Sequence, residues 1–294
     1  MATNIPLIEG NQFVAGFRRQ TEWAGLIASA FFFGKVGAGL FIMSVFLQNQ
    51  LGMLIGLLIV LCGKGGAHML YLGRPTRFWR GLRRPNSSWI SRGIWSMALM
   101  MVAGFAAVIL PQSSSLFMPM AVLAAIFAFV VAVYDGFLLT SSPAIPIWNT
   151  ALMPVMCMFY ALLGGTTMVL FLQHFGFIRM SPEIAAFMPT IEIVLLVVNL
   201  IIVMLFLIGS INTGSAGRES FNMLVRGPYA LPFFALAIGV GLVFTLLMSF
   251  IAGPHAGAGT MAMITVADLV GHYFIFFLLL KVGVFKPVLG HLKI

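Results

Sequence analysis

The sequence predicts an all-α integral membrane protein with eight transmembrane helices, read as two four-helix bundles. Three observations predict it. Of 294 residues, 61% are hydrophobic and only 8% charged, far from the balance of a soluble domain. The hydrophobic residues gather into eight runs near the twenty or so needed to cross a bilayer. Between the second and third runs lies an Arg-rich stretch that cannot cross. A formal net charge of +9 in so apolar a chain reports loop orientation and headgroup contact, not nucleic acid. Residues 1–294 read as a single polytopic domain. The first twenty-odd residues hold Glu9, Asn11, Gln12, Arg18 and Arg19 without the apolar core of a signal peptide.

The expected spans are about 23–47, 51–73, 90–110, 117–140, 148–173, 189–212, 230–251 and 262–285. The first (FFFGKVGAGLFIMSVFLQ) carries Lys35 near mid-depth, and Gly34, Gly37 and Gly39 that let a neighbour approach closely. The second places Lys64, His68 and Tyr71 on one face at i, i+4 and i+7. The fourth ends on Tyr134 and Asp135. The fifth (YALLGGTTMVLFLQ), with Gly164 and Gly165, resembles the first and gives the hint of two halves. The sixth holds Glu192 and Asn199, and the eighth holds Asp268 and His272 at i, i+4.

The segment His68–Trp95 (HMLYLGRPTRFWRGLRRPNSSWISRGIW) separates spans two and three. Arg74, Arg77, Arg80, Arg83 and Arg84 alternate there with Phe78, Trp79 and Leu82, and Trp89 and Arg92 follow. Each centrally placed charge would cost roughly 2.5–3.5 kcal/mol in the bilayer. The segment is therefore expected at the interface, as two to three helical turns between Pro75 and Pro85, docking a partner or lipid headgroups. The face holding both termini and the even-numbered connections carries thirteen Lys and Arg, against Arg179 alone on the other. The positive-inside rule then puts both termini in the cytoplasm.

Ionisable residues inside a membrane default to functional candidates, because their cost must be offset. Tyr134, Asp135 and His68, all toward the basic face, offer donors and a proton-exchanging group suited to the two carbonyl oxygens of a quinone. Lys35, Lys64, Glu192, Asp268 and His272 would mark a proton path toward the other side. The structural alternative pairs Lys64 with Asp135 or Asp268 and makes Tyr134 an interfacial anchor. No haem is expected, because His68 and His272 differ in depth by a helical turn or more; His174, His255 and His291 fall in connections or the tail. Cys62 and Cys157 each stand alone in apolar runs, so no metal site is expected. The chain carries no P-loop, HExxH or GxSxG.

YLGRPTRFWRGL followed by NSSWISRGIW, the Gly-rich centre of the first span, and YDGFLLTSSPAIPIWN resemble the polysulfide reductase membrane-subunit family, often called NrfD-like. The likeness covers the first half of the chain well and the second mainly in helix count. It implies a haem-free, quinone-reactive anchor in a prokaryotic cell (inner) membrane, using menaquinone or ubiquinone. The Arg-rich face would meet a four-cluster iron–sulfur subunit, with a molybdopterin catalytic subunit beyond. The family's late fourth-helix Tyr is by resemblance Tyr134. Where some members have a His and an Asn early in the first helix, this chain has Ser29 and Leu26. Glu22, Gln20 or His68 would then substitute. Many family complexes face outside the cytoplasm, which conflicts with the charge count.

Two other functions fit parts of the pattern. An ion or solute transporter would use Lys35, Lys64, Glu192 and Asp268 as a charged midplane path. A purely structural anchor would need no quinone site.

Overall fold

Polar caps set where several of the helices begin, and glycines set how closely they pack. The computed structural model describes residues 17–252 and 256–286; His255, His291, Lys293 and the leader reading on Glu9, Asn11 and Gln12 lie outside them. Eight helices long and apolar enough to span a membrane occur: α1 (Gly25–Phe46), α2 (Gln50–Tyr71), α3 (Trp89–Ile109), α4 (Phe117–Thr140), α5 (Leu152–His174), α6 (Pro182–Ile211), α7 (Ala230–Ala252) and α8 (Ala258–Lys281). All eight expected spans are present.

The starts follow short polar side chains. Asn49 accepts the Gly52 N–H at 2.9 Å and opens α2 just after Gln48 turns the chain with a φ of 51°. Ser88 accepts from the Ser91 N–H and opens α3. Ser181 accepts from the Ile184 N–H, with Pro182 in the first helical position, the place where a missing N–H costs nothing. That cap explains one boundary the sequence misplaces: α6 begins at Pro182, not 189, and Pro189 is absorbed inside it. Helix α5 starts at Leu152 instead of 148, because Trp148 is withdrawn as a buried plug whose Nε1 donates to the Leu279 carbonyl at 2.8 Å. Helix α8 runs from Ala258 to Lys281, where 262–285 was expected. Val284 and Phe285 instead pair antiparallel with Arg19 and Arg18, so the described ends of the chain meet. Gln20 reinforces that meeting by donating to the Trp23 and Leu280 carbonyls at 2.6 and 2.8 Å.

Two spans are not uniformly α-helical. Ile59–Gly65 of α2 and Phe233–Phe244 of α7 are π-wound, a rare geometry concentrated at functional positions. Apolar pattern alone gives no sign of it.

Helices α1 and α5 lie at the seam of the molecule. Helix α1 packs on α2, α4, α5 and α8; α5 packs on α1, α4, α6 and α8. They cross where Gly39 meets Gly165, so closely that a methyl on either would strike the other helix's backbone. One apolar core joins α1–α4 around Phe41, Leu57 and Met100; a second joins α5–α8 around Tyr160, Phe206 and Phe276, with Phe31 of α1 inserted into it.

Candidate functional site

Two polar clusters sit inside the bundle. The first lies toward the basic face, roughly 8–15 Å along the helix axes from it at 1.5 Å per residue. Asp135 of α4 is fully buried between two lysines, Lys64 of α2 and Lys35 of α1. The Lys64 ammonium donates to both Asp135 carboxylate oxygens at 3.0 Å, and Lys35 to Oδ2 at 3.2 Å. Each ammonium spends another proton on a carbonyl of α1: Lys64 on Ala30 and Lys35 on Phe31, both at 3.3 Å. Gly34 makes the reach possible, since a side chain there would collide with the Lys64 stem. Lys35 also stands 4.0 Å over the Phe276 ring of α8. The cluster thus sets two amines against a single carboxylate.

Beside it, His68 Nε2 lies 3.3 Å from the Tyr134 hydroxyl, and Lys64 sits 4.6 Å over the Tyr134 ring. Tyr134 is buried against Gly93 of α3, while His68 is half-buried. A phenol hydroxyl and an imidazole nitrogen thus stand together beside a buried lysine. Of the residues expected here, Tyr134, Asp135 and His68 are brought together. Lys35 and Lys64 join them instead of forming a separate path. Ser29 is half-buried on α1, one turn before Phe33, whose ring lies on Gly63 of α2, but it makes no side-chain hydrogen bond among the described residues. Glu22 is exposed before α1 and likewise unpaired there. Gln20 is committed to backbone carbonyls, which removes it as a substitute. Tyr71 is exposed to 38% and stands outside the cluster.

The second cluster lies toward the opposite face. Glu192 of α6 is buried, accepting from Thr167 of α5 at 3.0 Å and from Ser249 of α7 at 2.9 Å. Asp268 of α8 is equally buried, and its Oδ2 has no partner. His272, one turn on, packs on Tyr160, Phe276 and Phe32 with neither ring nitrogen bonded. Sequence reasoning missed Thr167, Ser249 and Tyr160. Small hydroxyls in apolar helices usually bond their own backbone, and only their meeting with Glu192 distinguishes these.

On the basic face, Pro75–Leu82 forms a 3₁₀-helix with no buried residue. Arg74, Arg77, Arg80, Arg83 and Arg84 are exposed, and none pairs with a carboxylate among the described residues. Arg83 stacks 4.2 Å over Trp79. Trp89 and Arg92 have a different task from the other five. Trp89 is held between Phe137, 4.4 Å away and nearly parallel, and the Arg92 guanidinium at 4.4 Å. Arg92 also donates to the Pro85 and Asn86 carbonyls at 2.8 Å. These two clamp the basic segment onto α3 and α4, above Tyr134.

A family model described as polysulphide reductase, NrfD, matches residues 14–287. The chain belongs to that family. No curated protein matches it. As an NrfD protein the chain is a multi-pass membrane subunit of redox complexes. The second half, where sequence resemblance rested mainly on helix count, is part of the NrfD match. Among the described residues no group of three or more His, Cys, Asp or Glu is placed to hold a metal ion.

Proposed function

We propose that this subunit binds a quinone or quinol beside Tyr134 and His68 and exchanges electrons with an iron–sulfur subunit docked on the Arg-rich segment. The observation that carries the reading is the His68–Tyr134 pair at 3.3 Å, set against the Lys35–Asp135–Lys64 cluster and beneath the exposed arginines. A bound menaquinone or ubiquinone would supply two-electron, two-proton chemistry at its two carbonyl oxygens. Tyr134 would hold a proton at one of those oxygens. His68 Nε2 is placed to pass a proton to or from the Tyr134 hydroxyl. Asp135 fixes the two ammoniums, whose net positive charge favours electron density arriving at the headgroup. Arg74, Arg77, Arg80, Arg83 and Arg84 bind the partner, while Trp89 and Arg92 hold their segment in place. A molybdopterin subunit would lie beyond the iron–sulfur one. Glu22 and Ser29 remain candidates for the rim of the quinone site. The basic face and both termini are placed in the cytoplasm of a prokaryotic cell, on the charge count.

The test is Tyr134→Phe in the assembled complex. Quinol-linked electron transfer should fall by about a hundredfold, the low end for loss of a general acid–base, with the partner still bound. Unchanged turnover would sink the assignment.

A further inference from the structure

Among the described residues the second cluster has no cation to balance it. Glu192 and Asp268 make no ion pair among the described residues, and both are almost completely buried. Two ionised carboxylates cannot stand uncompensated at that depth, where even one costs several kcal/mol. The cluster must therefore hold a proton or an imported cation. The hydrogen bonds show where. Both Glu192 oxygens accept from hydroxyls, whereas Asp268 Oδ2 and both nitrogens of His272 are buried without partners. A protonated carboxyl has a hydrogen to donate, and Asp268 Oδ2 and the His272 imidazole one turn on are the buried polar atoms left unpartnered on α8.

A cleft of about 250 Å³ leads to the cluster from the face opposite the basic one, lined by Leu170, Gln173, His174, Pro189, Glu192 and Ser249 among others. His174 is exposed at its mouth. Glu192 lies roughly 15 Å along α6 from Pro182, and Asp268 the same distance along α8 from Ala258, at 1.5 Å per residue, so the two carboxylates share one depth. Pro189 lines the wall, and its missing N–H leaves the Ala185 carbonyl without its usual helical donor. Beyond Asp268, His272 stands at the depth of Lys35, and both contact Phe276.

We propose that Glu192, Thr167, Ser249 and Asp268 form a proton-loading site supplied from the face opposite the basic segment, with His272 as its link toward Lys35 and Asp135. A proton taken from water in the cleft adds to a carboxylate oxygen and gives the neutral acid. Its transfer to His272 regenerates the carboxylate and gives an imidazolium, which returns to neutral imidazole on passing the proton to the Asp135 side. Tyr160 on α5, Lys35 on α1 and Asp268 on α8 are the titratable groups around His272; α7 contributes only the Ser249 hydroxyl to the site. The link toward Asp135 rests on the quinone reading. The loading site does not.

The experiment uses the full chain in sealed vesicles of known orientation, without added quinone or partner. Dicyclohexylcarbodiimide, which reacts with protonated carboxyls in apolar surroundings, should modify the peptide carrying Glu192 or that carrying Asp268, read by mass spectrometry. The modification should be unaffected by sodium ion and lost from that peptide in Glu192→Gln or Asp268→Asn. In a Cys62→Ala background, Ala185→Cys should react with a membrane-impermeant thiol reagent only from the face opposite the Arg-rich segment. Absence of labelling in the folded wild-type chain, protection by sodium ion, or reaction of the cysteine from the Arg-rich side would each overturn the proposal. Because the wild-type reading needs no substitution, misfolding of a variant does not rescue it. Failure here would leave the Tyr134→Phe result standing, and the reverse also holds.

Discussion

The two buried clusters are each built around buried carboxylates and solve opposite problems. Around Asp135, one carboxylate is held by two ammoniums, Lys64 making three hydrogen bonds and Lys35 two beside the Phe276 ring. Around Glu192 and Asp268, two carboxylates meet only hydroxyls, and polar atoms are left over. The first arrangement is charged and locked; the second is neutral only with a proton or cation on board. Charged residues inside a membrane thus fall into two kinds, and the difference lies in whether the counter-charge belongs to the chain.

The largest expected effect breaks the first cluster. Asp135→Ala strands two buried ammoniums and should destabilise the chain by about 3–5 kcal/mol, read as loss of folded protein and of thermal stability in detergent. Lys35→Met, which leaves a one-to-one Lys64–Asp135 pair, should cost less than half as much. Equal losses would show that the surplus charge is compensated elsewhere. Packing at the seam comes next: Gly39→Val should cost about 1–3 kcal/mol through overlap with the Ala161 carbonyl, and a wild-type melting temperature would contradict the close crossing. The second cluster should behave in the opposite sense to the first. Glu192→Gln and Asp268→Asn replace carboxyls that no cation of the described residues balances, so each should change stability by less than about 1 kcal/mol. A loss matching Asp135→Ala would erase the contrast. The smallest effect concerns the basic segment. Arg92→Gln should cost about 0.5–1 kcal/mol of cation–π energy over Trp89 and loosen the segment, read as faster proteolysis near Pro85. Replacing Arg77, Arg80 and Arg83 by Gln should leave stability untouched and release the partner from the purified complex. Full retention of the partner would assign those arginines to lipid.

Much of this was legible in the chain itself. Eight hydropathy runs are eight helices, and the five arginines lie exposed on the connection between α2 and α3. The i, i+4 pair on α2 marked residues that do carry polar contacts, whereas the pair on α8 marked two buried groups with polar atoms left unpartnered. Partner choice was not legible. Lys35 and Lys64 converge on Asp135 from residues 100 and 71 positions away, and no periodicity reports a contact between three helices. The pairing of Lys64 with Asp135, one of the two readings of these residues, is present in the geometry, with Lys35 as a second partner. Helix ends were lost wherever a cap outranked the apolar pattern, as at Ser181, or where an apolar residue was needed off the helix, as at Trp148. The π turns left no mark, since winding depends on neighbours and not on hydrophobicity.

The meeting of Gly39 and Gly165 has one further consequence. With backbone pressed on backbone, nothing larger than a hydrogen separates α1 from α5 at that level, and no file of water fits between them. The shortest line from the far surface to Lys35 is thereby insulated. A single pair of residues without side chains thus acts as a gasket between α1 and α5.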